Sequence, residues 1–321
     1  MPPTPVILDV DTGVDDALAL LLAVRHPDLE LRAVTCVAGN VGVDQVVRNT
    51  QYVLDAAGAG EVPVAKGAGR PLLAGVHPLD PWHGADGLAG FSRPSDRRLG
   101  PWSAVELLRR QLLAAIGTGE RITLIPLAPM TNVALLLRSH PEVAAGIERI
   151  VFMGGSASVG NATAVAEFNV WHDPEAAAIA LAAAGDLDIP LTMYGLDVFE
   201  QPRLTPSDVH DRRRPGDPGA ELAAVAIEEM CRLHDLTDAT IGDAGAVCAV
   251  VAPDGLVTRR LGVRIDPSTG IGRGQTVVDR RGSDHGPREW NPQNRPATEV
   301  DVALGVDADR YVGLWLRTVC S

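Results

Sequence analysis

The sequence predicts an α/β fold: one open, mostly parallel central sheet with helices on both faces, Rossmann-like, and a small antiparallel extension. Three observations predict it. Short apolar runs recur along the chain with helix-period segments between them, the pattern of βαβ units. The late stretch Val257 to Val278 reads as two strands turned back on each other. No internal repeat and no low-complexity linker interrupts the chain, so residues 1–321 read as one domain.

The elements follow in order. Val6-Ile7-Leu8 is a buried strand, and Ala17 to Val24 offers Leu18, Leu21 and Leu22 on one helical face. Leu29 to Val37 is the second strand, and a right-handed parallel crossover is expected between the two. Asn40 then lies at the same sheet edge as the end of the first strand, where open α/β sheets bind ligands. Val43 to Ala57 is a helix closed by Gly58, and Val62 to Ala65 a short strand. Gly67 to Trp102 is a long Gly- and Pro-rich loop carrying Trp82-His83-Gly84, and loops of this length inside a compact domain are commonly functional. Ser103 to Ile116 and Met130 to Ser139 are helices flanking a strand at Arg121 to Leu127. Ile147 to Met153 is a strand feeding a polar loop that holds Asn161, Glu167 and Asn169. Asp173-Pro174-Glu175 starts an alanine-rich helix with Asp at the cap and Pro just inside. Ile189 to Tyr194 is a strand, Thr205 to Gly219 reads as mobile, and Glu221 to Asp235 is a helix. Asp243 opens the apolar helix Ala244 to Ala252, and a short strand at Asp301 to Leu304 and a helix at Ala308 to Val319 close the chain.

Composition excludes several classes of partner. The net charge of −13 argues against nucleic acid and anionic membrane surfaces. No apolar run is long enough to span a bilayer, and the first residues lack the pattern of a signal peptide. Cys36, Cys231, Cys248 and Cys320 have no paired spacing and read as buried thiols of a cytoplasmic protein.

The chemistry concentrates in Asp9-Val10-Asp11-Thr12-Gly13-Val14-Asp15-Asp16, where the first strand hands over to the first helix. Asp15 or Asp16 can cap that helix. Capping leaves the other carboxylates unexplained, because crowded like charges repel unless a cation sits among them. A hard divalent cation held by oxygen ligands answers this. An EF-hand loop does not fit: its twelfth position, counted from Asp9, is Leu20 rather than Glu.

The octapeptide resembles the signature of the inosine-uridine-preferring nucleoside hydrolases. Val37-Ala38-Gly39-Asn40, Trp82-His83-Gly84, Pro126 to Asn132, Met153-Gly154-Gly155, Glu167-Phe168-Asn169 with Asp173-Pro174-Glu175-Ala176, and Asp243 resemble further motifs of that family in the same order. The resemblance implies hydrolysis of the N-glycosidic bond of ribonucleosides to ribose and free base, in a cytoplasmic dimer or tetramer serving nucleobase salvage. It implies a Ca²⁺ held by Asp11, Asp16, the backbone carbonyl of Leu127 and Asp243. Asp11 would also take a proton from the water that the ion activates, and the transition state would resemble an oxocarbenium ion. Asp15, Asn40, His83, Met153, Asn161, Glu167 and Asn169 would hold the substrate. Asn and Glu suit vicinal diols, which present both donors and acceptors.

The chain departs from this pattern at Gly242, where many family members carry a His that acts on the departing base. His83, His234, Trp82 and His285, near Trp290, are then the candidates for that role. Two alternatives follow. Asp9 and Asp11 alone would suit a haloacid-dehalogenase-type phosphatase with Asp9 as nucleophile, and Gly242 would suit a nucleoside-binding relative that has lost turnover.

Overall fold

The computed structural model describes residues 2–75, 81–281 and 297–320, so His285 and Trp290 lie outside the described residues. Its main feature is a nine-stranded sheet. The first half alternates strictly: β1 (Thr4–Val10), α1 (Val14–Arg25), β2 (Leu29–Cys36), α2 (Val43–Ala56) and β3 (Val64–Lys66). After the long loop come α3 (Ala104–Thr118), β4 (Ile122–Pro126), α4 (Thr131–Ser139) and β5 (Ile147–Met153). Then follow α5 (Phe168–His172), α6 (Pro174–Asp186), β6 (Leu191–Tyr194), α7 (Leu196–Phe199), β7 (Arg203–Leu204), α8 (Pro206–His210) and α9 (Pro218–His234). The chain ends with β8 (Ala239–Thr240), α10 (Ala244–Val251), β9 (Leu256–Ile265), β10 (Thr276–Val278), β11 (Thr298–Val306) and α11 (Ala308–Val319).

The sheet order is β10-β9-β11-β6-β5-β4-β1-β2-β3. From β3 across to β11 every pairing is parallel, whereas β9 runs antiparallel to both β11 and β10. The winding direction reverses between β1 and β4, which are neighbours in space. A crevice opens at such a reversal at the carboxyl ends of the strands, and β1 ends there in the acidic octapeptide.

Both faces of the sheet are covered, and the side-chain period of two sorts residues between them. Val6, Leu8 and Val10 join one core with α1, α2, α9, α10 and α11, while Ile7 joins the other with α3, α4 and α6. In β5, Val151 and Met153 face the first core, and Ile150 and Phe152 the second. Trp315 of α11 is fully buried in the first core, and its indole donates to the Leu18 carbonyl of α1 at 3.1 Å. Trp315→Ala opens a large cavity there and strips that carbonyl of its extra partner. It is expected to destabilise the fold by about 3–5 kcal/mol, read from the urea midpoint.

Several local expectations are corrected. Helix α1 begins at Val14 rather than Ala17, because Asp16 Oδ2 accepts from the Gly13 amide at 2.8 Å and closes the first turn. The stretch 205–219, expected to be mobile, is built: Thr205 caps α8, and Asp217 caps α9 and pairs with Arg25. The final strand is longer than Asp301 to Leu304, because it pairs along β9 from Thr298 to Val306. Asn169 sits in the short helix α5 rather than in a loop. The two-residue strands β7 and β8 form a small separate sheet that periodicity did not reveal.

Candidate active site

The carboxyl ends of β1, β2, β4 and β5 surround a cavity of about 330 Å³. Asp11, Asp15, Asn40, His83, Leu127, Met153, Asn161, Glu167, Asn169 and Asp243 all line it. These are the residues singled out from the sequence, with the exception of Asp16, which lies fully buried behind them. Residues separated by more than 230 positions are thus gathered by the parallel strands and by the start of α10.

Each polar side chain is held by backbone geometry. The Asn40 amide donates to Asp11 Oδ2 at 2.8 Å, and Asp11 lines the cavity. Gly39 makes that contact possible, since a Cβ there would fall 1.9 Å from Asp11 Oδ2. Glu167 caps α5. Its Oε1 accepts from the Asn169 amide at 2.8 Å, and its Oε2 from the Gly155 and Val170 amides at 2.8 and 3.1 Å. Asn169 Nδ2 donates to the Leu127 carbonyl at 2.9 Å, using one of that oxygen's two lone pairs. Asn161 Oδ1 accepts from the Phe168 amide at 2.8 Å. The Val14 amide donates to His83 Nδ1 at 3.2 Å, so the ring carries its proton on Nε2, 3.6 Å from Asp15 Oδ1.

Asp15, Asp16 and Asp243 each place one carboxylate oxygen within 4.8 Å of the others. Asp16 Oδ1 is buried and has no hydrogen-bond partner among the described residues. Burial pushes the Asp11 carboxyl up to about 8, reinforced by the charges of Asp15 and Glu167. Burial first, and then the neighbouring carboxylates, push Asp16 and Asp243 well above the ordinary carboxylate range. Glu167 rises to about 7 from burial, against the pull of its three backbone donors. Carboxylates so crowded disfavour one another's ionisation, whereas a cation among them reverses the repulsion. The donors are all oxygen, the chemistry of a hard divalent ion.

Asp9 is not part of this arrangement. Its Oδ1 accepts from Thr35 Oγ1 at 2.6 Å and from Asn132 Nδ2 at 2.8 Å, and the side chain does not line the cavity. Asp9 therefore ties β1 to β2 and α4. The phosphatase reading needs it open to substrate as a nucleophile, and the geometry denies that. The structure adds Ala162, Phe168, Phe199 and Glu200 to the lining. Phe199 and Glu200 follow β6, and their position beyond a strand's carboxyl end was the available sequence signal. Gly242 has φ +51°, and a Cβ there would lie 2.6 Å from Asp15 Cβ and 3.0 Å from Phe199. Asp15 and Phe199 thus occupy the space beside residue 242.

Residues 6–313 match the profile of the inosine-uridine preferring nucleoside hydrolase family. A pyrimidine-specific ribonucleoside hydrolase RihA of Shewanella oneidensis is 38% identical, over 99% of this chain and 96% of that protein. An inosine-uridine preferring nucleoside hydrolase of Leishmania major is 34% identical, over 97% and 99%. Among solved structures, a plant nucleoside hydrolase superposes with a TM-score of 0.88 at 28% identity, covering 100% of both chains. A purine-preferring ribonucleoside hydrolase from Gardnerella vaginalis gives 0.85 at 30% identity, covering 99% of this chain and 98% of that one. With the profile match spanning both the acidic octapeptide and Asp243, the chain belongs to the inosine-uridine preferring nucleoside hydrolase family and is a nucleoside hydrolase.

Proposed function

We propose that the chain hydrolyses the N-glycosidic bond of ribonucleosides with a Ca²⁺ at the floor of the cavity. The observation that carries this reading is the oxygen cluster of Asp15, Asp16 and Asp243, with Asp16 Oδ1 buried and unpartnered among the described residues, beside a cavity lined by Asn40, Asn161, Glu167 and Asn169. Asp16 and Asp243 would hold the ion, with Asp11 and the free lone pair of the Leu127 carbonyl, and Asp15 alongside. Bound there, the ion supplies Lewis acidity toward water and a fixed positive charge.

The chain's own residues do the rest. Asp11 Oδ1 accepts the proton of the attacking water while the Asn40 amide fixes Oδ2, so the base arrives pre-oriented. The water oxygen bonds to the anomeric carbon as the C–N bond breaks, and the bonding pair leaves with the base. Positive charge grows on the ribose, and the carboxylates of Glu167 and Asp15 stabilise it. Asn161, Asn169 and Asn40 orient the hydroxyls, and Met153 packs below the ring. Trp82, Phe168 and Phe199 line the cavity and would offer aromatic faces to the base. With no side chain on Gly242, the departing base takes its proton from another group or from solvent.

We read residues 1–321 as one domain, and the dimeric or tetrameric assembly follows from the family resemblance. No helix among the described residues is long and apolar enough to cross a membrane, four buried free thiols support a cytoplasmic setting, and the family resemblance supports a role in purine or pyrimidine salvage. The deciding measurement is release of reducing sugar from a panel of purine and pyrimidine ribonucleosides by calcium-replete protein. Cleavage of at least one is expected. Nucleoside binding by calorimetry without release of base would instead mark a relative that has lost turnover.

A further inference from the structure

The 3₁₀ turn Pro81–His83 forms part of the wall between the main cavity and a second, more apolar one of about 260 Å³. Trp82 and His83 line both. The second cavity lies against α1 and α9, with Leu18, Ile227 and Met230 in its wall. The placing of this turn therefore helps to shape both spaces, together with Asp15, Phe199 and Glu200, which also line both. Its backbone belongs to a long loop, whose described residues hold no strand or α-helix.

Two histidines fasten the turn from opposite sides. On the inner side His83 Nδ1 accepts from the Val14 amide at the start of α1. On the outer side stands His234, the last residue of α9. Its ring stacks on the Trp82 indole, with centroids 3.7 Å apart and planes 20° apart. Its Nε2 lies 2.8 Å from the Trp82 carbonyl oxygen. A carbonyl only accepts, so Nε2 carries a proton and donates. One imidazole thus grips the indole face and the backbone of the same residue, which fixes both the position and the tilt of Trp82. His234 is half-buried and does not line the main cavity.

We propose that His234 is a positioning residue for substrate binding: from the end of α9 it clamps Trp82 in place as a wall of the nucleoside site. Trp82 lines the cavity but is not among the acids that carry the chemistry, so the clamp would act alike on the ground state and the transition state. Interactions of that kind show in KM and leave kcat alone. The acids that carry the chemistry lie just past the end of β1, in the first turn of α1 and immediately before α10, and among the described residues none of them shares a hydrogen bond with His234, whose ring bonds Trp82.

The test uses the full chain, loaded with calcium, and a ribonucleoside that the wild type cleaves. His234→Ala is expected to raise KM roughly tenfold with kcat within about twofold, as loss of one hydrogen bond and one ring stack implies. Acrylamide should quench Trp82 more readily in this variant, read against a Trp82→Phe background that removes the signal. His234→Gln keeps a donor and His234→Phe keeps a ring face, so each should recover part of the affinity. The KM effects of His234→Ala and Trp82→Ala should not multiply in the double variant, because both remove the same contact. A wild-type KM in His234→Ala, a loss confined to kcat, or multiplicative effects would overturn the proposal. So would a KM rise that accompanies an equal fall in Tm in all three His234 variants, which marks a merely structural role.

Discussion

Asp11→Asn is expected to lower kcat by about 10³-fold while the protein stays folded, as loss of a positioned general base does. The substitution keeps the shape, and its amide oxygen can still accept from the Asn40 amide. The other position then holds an NH₂ group, which donates and cannot take a proton from water. Stability should move the other way. The Asp11 carboxyl is pushed up to about 8 by burial and by neighbouring acids, so a neutral group at this position relieves the calcium-free protein. Steady-state kinetics paired with thermal melts in chelator would show both effects. An Asp11→Asn protein with ordinary turnover would remove Asp11 from the role of base.

Removing the divalent cation should abolish turnover and lower Tm by several degrees. A ligand present at about 100 times its Kd stabilises the folded state by about 2.7 kcal/mol. The loss should depend on pH in a stated direction. Asp11, Asp16 and Asp243 have folded-state values raised above those of the unfolded chain. Between about pH 4 and pH 8 the folded state therefore holds protons that the unfolded chain has released, and its stability falls as pH rises through that window. The chelated protein should accordingly melt lower near pH 8 than near pH 6. Added calcium should restore activity and flatten the dependence, because a cation favours the ionised carboxylates. Equal melting at both pH values, with no response to calcium, would contradict an ion at the acidic cluster.

Much of the architecture was legible because it rests on local pattern. Apolar runs such as Val6-Ile7-Leu8 mark strands wherever they occur, and Asp173-Pro174 announces the start of α6 through capping chemistry alone. The boundaries that failed were set from outside the segment. The Thr205 to Gly219 stretch looked mobile from its Pro, Arg and Asp content. It is ordered by the Thr205 and Asp217 caps and by Arg25, a residue 192 positions from Asp217. Strand β11 gained its extra length from pairing with β9.

The site divides in the same way. The acidic octapeptide, read by itself, pointed to a cation, since capping accounts for only one or two of its four carboxylates; together with the ordered motifs after it, it pointed to an N-glycosidic hydrolase. Sequence could not tell which carboxylates would share the cluster and which would serve the frame. Folding turned Asp9 to Thr35 and Asn132, away from the cavity, and set an oxygen of Asp15 beside those of Asp16 and Asp243. It also brought His234 from the end of α9 onto Trp82. The reason is physical: residue type determines what a side chain can bind, whereas strand register, helix docking and burial determine which partners it meets and whether it is charged when it meets them.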